Sequence, residues 1–468
     1  MLVYTYQYFL IANKYEAWTT DEFFYYIEAR NIAAHNIYQT PASLDGNTSI
    51  IGDFGFHGGS YALKDGILAK LLFHKQDPPL VFINLLTCIA LISLILTFKH
   101  LPLNNRIKIA LIVGTHYTLY SYTLSYMQET IQYFFAVLAL RSLYLIYNGK
   151  KTSNGHYLTY YLIIILIAIT FRYGWFMWGL GLLPLATNLK SFVKWATVAI
   201  VLLVCGVFVS RYVAAPYPYD DVIVDKLIRS ENFSLMNSLG IIFQKFWNNL
   251  KLFITPGELF TTTCMRYLLL ALLIISSWYA IVKRNRFTIA CTLIGWAYLI
   301  ACLAFYFVFW GYDERALAIL IPLLSFSLIG NFNSFVFYPA IAIQLLLFPG
   351  VVETTSARNY GSMAVNAASS ERKSKEASYS KIKDLITIEH RVVISLDIEF
   401  VLHASPNYFI HFPLVTNKGY PIHYKLYRNG NDTRGTHPID YILTNQNSPQ
   451  LNKELIYNDK WMYLYQNN

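Results

Sequence analysis

Two adjacent carboxylates, Asp21 and Glu22, follow directly after the short apolar N-terminus of this sequence. A carboxylate can take the proton of an attacking hydroxyl group and so act as a general base. Thr19 and Glu22 also have the spacing of a capping box, in which the Glu22 carboxylate binds the main-chain amide of Thr19. That alternative explains Glu22 but gives Asp21 only a favourable contact with the helix dipole. Asp21 is therefore the first candidate for a base.

The same segment has the periodicity of a helix. Asp21, Glu28 and His35 are seven residues apart and share one helical face. Apolar and aromatic residues occupy the other side: Phe23, Tyr26, Ile27, Ala34 and Ile37. The pattern predicts an amphipathic helix on a membrane surface, with its acidic face open to whatever enters the site.

Further ionisable side chains fall at the ends of apolar segments. They are Asp53, Glu129, Arg172, Asp313, Glu314 and Arg315. Ionisable groups near a bilayer are costly, so they mark candidate functional positions. For Glu129 and Glu314-Arg315 an ordinary helix start is an equally good explanation. The glycine-rich stretch around His57, residues 52–61, predicts turns and close backbone approaches.

The composition is that of a membrane protein. The chain has 468 residues, of which 55% are hydrophobic and 14% charged, whereas soluble domains carry about 25% charged residues. The net charge of +10 is explained by topology and lipid contact rather than by nucleic-acid binding. The five cysteines form no CxxC motif, so neither a disulfide framework nor a zinc site is predicted.

Apolar runs predict about eleven transmembrane helices. The first run, Met1 to Ala12, is shorter than the roughly 20 residues needed to span a bilayer, and we interpret it as the end of a transmembrane helix that starts upstream of Met1. The remaining predicted spans are 79–98, 106–126, 130–148, 157–172, 173–190, 194–213, 265–283, 287–310, 315–331 and 334–350.

Basic residues alternate between the predicted loops. One set holds Lys99, Arg106 and Lys108; Lys150 and Lys151; Lys190 and Lys194; and Lys283, Arg284 and Arg286. The other loops are nearly bare, which places the basic set in the cytoplasm. We therefore expect a multi-pass protein of the plasma (inner) membrane with a cytoplasmic N-terminus. Three polar segments then share the extracytoplasmic face: 13–78, 214–264 and 351–468.

The chain thus divides into a membrane domain, residues 1–350, and a small soluble α/β domain, residues 351–468. In the latter, 366–382 is predicted to be a linker helix, and strands are predicted at 391–396, 422–427, 439–443 and 461–465. The turn at 458–460 predicts a terminal hairpin. Within the 214–264 loop, 239–253 is predicted to be an interfacial amphipathic helix.

This combination resembles the C-type (GT-C) membrane glycosyltransferase superfamily, including the protein mannosyltransferases and the lipid A aminoarabinose transferases. The resemblance covers the whole length in architecture and rests in residues on Asp21-Glu22, Glu129 and Glu314-Arg315. At the histidine loop this chain has His57-Gly58-Gly59 where relatives often have His-Pro-Pro.

The resemblance implies an inverting glycosyltransferase that moves a sugar from a polyprenyl-phosphate donor to a glycan, lipid or protein acceptor on the extracytoplasmic face, in cell-envelope synthesis. It implies Asp21, Glu22 and Glu129 as catalytic residues and Asp53, His57, Arg172 and Arg315 as substrate-binding residues. Glu129 or Asp53 would orient the acceptor or hold a divalent cation, and the metal requirement stays open. Two alternatives are a transporter or flippase of a lipid-linked sugar and a non-catalytic polysaccharide assembly protein.

Overall fold

The structure, a computed structural model, describes residues 1–11, 20–35, 42–43, 48–50, 60–73, 79–149, 154–170, 173–209, 235–257, 260–305, 317–329, 337–368, 370–386, 392–395, 409–413, 436–438, 440–444 and 454–466. Three helices come first: α1 (Leu2–Ile11), α2 (Thr20–His35) and α3 (Ser60–Leu68), the last continuing as a π-helical turn, Ala69–Phe73. Helices α2 and α3 pack closely at Gly66, where a Cβ atom would lie 2.7 Å from the carbonyl oxygen of Ala29.

The apolar body is built from eleven further described helices and one 3₁₀ helix, Tyr173–Leu185. The helices are α4 (Leu80–Leu96), α5 (Leu103–Gly114), α6 (Tyr117–Thr123), α7 (Glu129–Asn148), α8 (Asn154–Thr170), α9 (Leu189–Val209), α10 (Leu235–Ile254), α11 (Phe260–Lys283), α12 (Arg286–Phe305), α13 (Leu320–Ile329) and α14 (Phe337–Ala368). Each of the ten spans predicted after the first overlaps one of these helices, and α10 covers the predicted amphipathic stretch.

Among the described residues, four helices are long and apolar enough to cross a membrane. They are Glu129–Asn148, Thr263–Lys283, Arg286–Ala304 and Phe337–Ser356. The predicted span 106–126 is interrupted, because His116 has an extended backbone (φ −70°, ψ 134°) between α5 and α6. The predicted span 173–190 is largely a 3₁₀ helix that contains Pro184. A total of about eleven spans therefore stays a prediction.

Lipid-facing and protein-facing surfaces are distinct on these helices. Large apolar side chains such as Trp278 and Leu346 are exposed, as expected where lipid replaces water. Between helices, polar groups pair with each other: the Ser276 hydroxyl lies 2.9 Å from that of Thr292 and 2.7 Å from that of Ser327. Such hydrogen bonds between small side chains are typical of helix contacts in membranes.

The C-terminal region contains one helix and six strands among its described residues. Helix α14 crosses the predicted domain boundary at 350/351, and α15 (Ser370–Leu385) corresponds to the predicted linker helix. The strands are β3 (Val392–Ser395), β4 (Phe409–Pro413), β5 (Thr436–Pro438), β6 (Tyr441–Thr444), β7 (Glu454–Asn458) and β8 (Tyr463–Gln466). Three predicted strands and the terminal hairpin are confirmed; the predicted strand 422–427 lies outside the described residues.

The first polar segment contributes strands to the same sheets. Strand β1 (Ala42–Ser43) pairs in parallel with β4, and β2 (Thr48–Ile50) pairs antiparallel with β5. The larger sheet has the order β1-β4-β3-β6-β8-β7. Strands β1 and β2 therefore share sheets with strands of the C-terminal region, although the two segments lie far apart in the sequence.

Helix α2 is not the open amphipathic surface helix that its pattern predicts. Glu28, expected on the exposed acidic face, is 1% exposed, and residues 25–33 are all buried. The reason is tertiary: Tyr26, Ile27 and Ala29 share a hydrophobic cluster with Tyr379, Ile382, Leu443, Met462 and Leu464 of the C-terminal region. Periodicity in one helix cannot show that a distant sheet will cover it.

Candidate functional site

The N-terminal half of α2 lies against residues 124–129, which we call the acidic turn because Glu129 ends it. The Glu22 carboxylate accepts a hydrogen bond of 2.8 Å from the main-chain N–H of Tyr126. The Gln128 side-chain amide donates to the Tyr25 hydroxyl at 2.7 Å. The rings of Tyr26 and Tyr126 stack with their centroids 5.7 Å apart. Three successive contacts thus join α2 to the acidic turn.

The acidic turn is also held from helix α4. The Asn84 side-chain amide donates to the carbonyl oxygens of Ser125 and Met127, both at 2.9 Å. The Ser125 hydroxyl in turn accepts the N–H of Met127 at 3.2 Å. Because side chains from two helices bind its main chain, the acidic turn has a defined position despite lacking regular structure.

Glu129 begins helix α7, where a carboxylate is favoured by the positive end of the helix dipole. Its side chain is 1% exposed, and Glu22 is 0% exposed. Glu22 and Tyr126 are 104 residues apart in the sequence, so the fold brings two separate acidic segments together. Asp21 directly precedes Glu22 in α2, and its main chain therefore lies at the same helix end.

The remaining predicted site residues lie outside the described part of the chain: Asp53, His57, Arg172 and Arg315. The capping-box partner Thr19 lies outside it as well. What the structure adds for Glu22 is a long-range partner, the Tyr126 amide, which the local capping interpretation does not include.

A polar contact leads from the acidic turn into the helical body. Tyr133 follows Glu129 by four residues, about 6 Å along the helix axis. Its hydroxyl lies 2.9 Å from Nδ1 of His116, the residue at the interruption between α5 and α6. Both side chains are buried.

His116 lines a small cavity of about 20 Å³ whose other described lining residues are Tyr117, Thr118, Phe253, Met265, Arg266, Leu269 and Leu317. Arg266 is 5% exposed. Its guanidinium donates to the carbonyl oxygens of Leu252, at 3.0 Å, and Thr255, at 3.2 Å. These contacts fix a planar cation, a group well suited to phosphate, at the cavity wall.

Sequence reasoning missed Arg266 and His116. Arg266 is the second residue of the predicted span 265–283. A charged residue just inside an apolar segment marks a candidate functional position, and this signal was present in the sequence. His116 lies in the middle of a predicted continuous span, and no local pattern marks the interruption that turns it toward a cavity.

A metal centre is not evident in the described residues. They contain no group of three His, Cys, Asp or Glu side chains that could hold a metal ion. The five cysteines are free thiols. Asp53, one of the two residues proposed to hold a divalent cation, lies outside the described ranges.

No protein-family model matches this sequence, and no curated protein matches it significantly. Solved structures do match. ArnT from Cupriavidus metallidurans, bound to undecaprenyl phosphate, is 11% identical with a TM-score of 0.50, over 99% of this chain and 96% of that chain. The Archaeoglobus fulgidus oligosaccharyltransferase, in complex with Zn and sulfate, is 14% identical with a TM-score of 0.51, over 95% of this chain and 67% of that chain. The resemblance to the C-type membrane glycosyltransferases is thus confirmed at the level of the fold, which this chain shares along nearly its whole length.

Proposed function

We propose that this protein is an inverting membrane glycosyltransferase that moves a sugar from a polyprenyl-phosphate donor to an acceptor hydroxyl on the extracytoplasmic face. One observation carries the proposal: two acidic segments meet at the acidic turn, and the Tyr133–His116 contact links the helix that begins there to the wall of a cavity with a buried arginine. A transferase of this kind needs a base beside the acceptor hydroxyl and a cation beside the leaving phosphate. The two groups must be close to each other, but each must contact a different part of the reacting molecules.

The proposed chemistry is a single displacement. The acceptor oxygen attacks the anomeric carbon of the donor, and the bond from that carbon to the phosphate oxygen breaks. The phosphate leaves with the bonding electron pair, and the acceptor proton passes to the carboxylate of Asp21. Attack opposite the leaving group inverts the anomeric centre.

Asp21 is assigned as the base because the other two carboxylates are committed to the protein interior. Glu22 binds the Tyr126 amide, and Glu129 is buried at the start of α7. Glu129 then serves by shaping the acidic turn beside the acceptor. Asp53 and His57 stay proposed for substrate binding in the first loop.

Arg266 joins Arg315 and Arg172 as a proposed partner of the lipid phosphate. Leu317, which lines the same cavity as Arg266, follows Arg315 by two residues in the sequence. Cations placed where negative charge develops stabilise the departing phosphate.

The experiment is to incubate the purified, detergent-solubilised protein with polyprenyl-phosphate sugars of several types and a mixture of acceptors. Release of lipid phosphate coupled to glycosylated acceptor supports the proposal. A protein that moves lipid-linked sugar across proteoliposome membranes without releasing lipid phosphate is a flippase. Binding with neither activity indicates an assembly protein.

A further inference from the structure

We infer that Glu22 is a positioning residue, which acts by holding the acidic turn, rather than a residue that touches substrate. The inference rests on the proposed function, because it assigns a role within the same site. It starts from the direction of one hydrogen bond: the Glu22 carboxylate accepts from the main-chain N–H of Tyr126 at 2.8 Å.

A main-chain amide inside a turn has few ways to find a partner. In the acidic turn the Ser125 and Met127 carbonyls are bound by Asn84, and the Met127 amide is bound by the Ser125 hydroxyl. The Tyr126 amide points instead to α2, where Glu22 receives it. The charged acceptor makes this bond stronger than a neutral one.

The neighbouring contacts of α2 support the same role. The Tyr25 hydroxyl accepts from Gln128, the residue directly before Glu129, and Tyr26 stacks on Tyr126. Glu22, Tyr25 and Tyr26 therefore engage two residues of the acidic turn on one side of the helix. The C-terminal region packs on α2 as well, through Tyr26, Ile27 and Ala29, and fixes the helix that carries Glu22.

Burial separates this role from catalysis. Glu22 is 0% exposed, so an acceptor cannot reach its carboxylate without breaking the contact with the acidic turn. Holding the turn also fixes the helix end at which Asp21 stands. The effect of Glu22 on the reaction is thus transmitted through the placement of Asp21 and Glu129.

The test compares Glu22→Gln with Glu22→Ala. A glutamine carbonyl still accepts the Tyr126 N–H, whereas alanine does not. Hydrogen exchange of a peptide covering 124–129 is the first readout, since exchange reports local opening. We expect Glu22→Ala to speed exchange at Tyr126 by about ten- to a hundredfold, the value of a hydrogen bond to a charged group. Glu22→Gln loses only the charge assistance of this bond, so it should speed exchange by less than about tenfold.

The second readout is lipid-phosphate release across a pH range. We expect Glu22→Gln to restore most of the rate lost in Glu22→Ala, with an unchanged pH profile. Tyr25→Phe, which removes the Gln128 contact, should give an intermediate loss, and Glu454→Gln, at an exposed carboxylate of β7, should have no effect. The inference is overturned if Glu22→Gln loses as much rate as Glu22→Ala while exchange in residues 124–129 of Glu22→Gln stays slow. The reaction would then require the negative charge at position 22 and not only the hydrogen bond to the acidic turn. Exchange needs no activity, so a parent protein without transferase activity refutes the proposed function while the exchange comparison still decides the role of Glu22.

Discussion

The hydroxyl of Tyr133 lies 2.9 Å from Nδ1 of His116, and this contact joins the helix that begins at Glu129 to the wall of the arginine-lined cavity. The imidazole cannot rotate freely while it holds the tyrosine. The other ring nitrogen, Nε2, is the one that remains for a second contact. The tautomer of His116 depends on whether the Tyr133 hydroxyl or Nδ1 is the donor.

Removing the hydroxyl tests this link. Tyr133→Phe leaves His116 Nδ1 without its tyrosine partner in a buried position, which costs about 1–3 kcal/mol. We expect a lower melting temperature in detergent. In the double variant Tyr133→Phe/His116→Phe the losses should be less than additive, as expected for residues in contact. Full additivity would mean that the two side chains act independently.

Arg266 is expected to serve both structure and donor binding. Arg266→Lys keeps the charge but loses the planar fork that reaches two carbonyl oxygens. We expect a moderate loss of thermal stability together with a raised KM for the polyprenyl-phosphate sugar. In Arg266→Met, which also lacks the charge, the loss of stability and the rise in KM should both be larger. A donor KM unchanged in both variants would leave Arg266 as a purely structural residue of the α10–α11 connection.

Arg315 is expected to contact the lipid phosphate directly. Arg315→Lys should weaken use of the donor while the protein still inserts and folds, because the charge remains but bidentate geometry is lost. The measurement is donor KM on purified protein, with melting temperature as the folding control. Normal donor affinity would move the assignment to Arg172.

Glu28 gives a prediction for the pH dependence of stability. Burial raises the pKa of Glu28 well above its ordinary value, and its carboxylate oxygens have no hydrogen-bond partner among the described residues. The folded protein therefore keeps a proton that the unfolded chain releases above a pH of about 4.3. Stability then falls as pH rises from that value toward the raised pKa of the folded state.

Glu28→Gln removes this titration. We expect the variant to match the parent protein near pH 4 and to melt at a higher temperature at pH 7 to 8. The measurement is melting temperature against pH for both proteins. If Glu28→Gln is destabilised equally across the pH range, the carboxylate is ionised and paired with a residue outside the described ranges.

The sequence was informative where the signal is local. Apolar runs predicted the helices, the turn at 458–460 predicted the terminal hairpin, and the acids at 21–22 and 129 marked the segments that meet. The interruption at His116 could not be predicted, because it depends on buried contacts such as that with Tyr133. The burial of α2 was equally hidden, since it follows from packing against strands more than 400 residues later, such as β8.

Topology is tested by labelling single cysteines in a variant whose five natural cysteines have been replaced. Cysteines at Asn104, Asn154 and Asn285, in or beside the predicted basic loops, should resist a membrane-impermeant thiol reagent in intact cells. A cysteine at Asn445 should react. Permeabilised cells provide the control, in which all four positions must label. Protection of Asn445 in intact cells would place the acidic turn and the C-terminal region on the cytoplasmic side.

The role of Asp21 as the general base is the decisive prediction. Asp21→Asn keeps the size of the side chain and removes its ability to take a proton. Turnover should fall by about two to four orders of magnitude, the usual contribution of a positioned base. Expression and melting temperature should change little, because Asp21 stands in the first turn of α2, where loss of a carboxylate weakens the contact with the helix dipole by only about 1 kcal/mol or less.

Glu22→Gln is the matched comparison for Asp21→Asn, since both exchange a carboxylate for an amide at adjacent positions of α2. Its rate should stay near that of the parent protein because the glutamine carbonyl still binds the Tyr126 amide. Both variants are measured in the same detergent, for lipid-phosphate release and for melting temperature. If Asp21→Asn keeps near-normal turnover and Glu22→Gln loses most of it, Glu22 is the general base and Asp21 is not. If neither variant loses turnover, the base lies elsewhere, and Asp53 and Glu129 become the carboxylates to test.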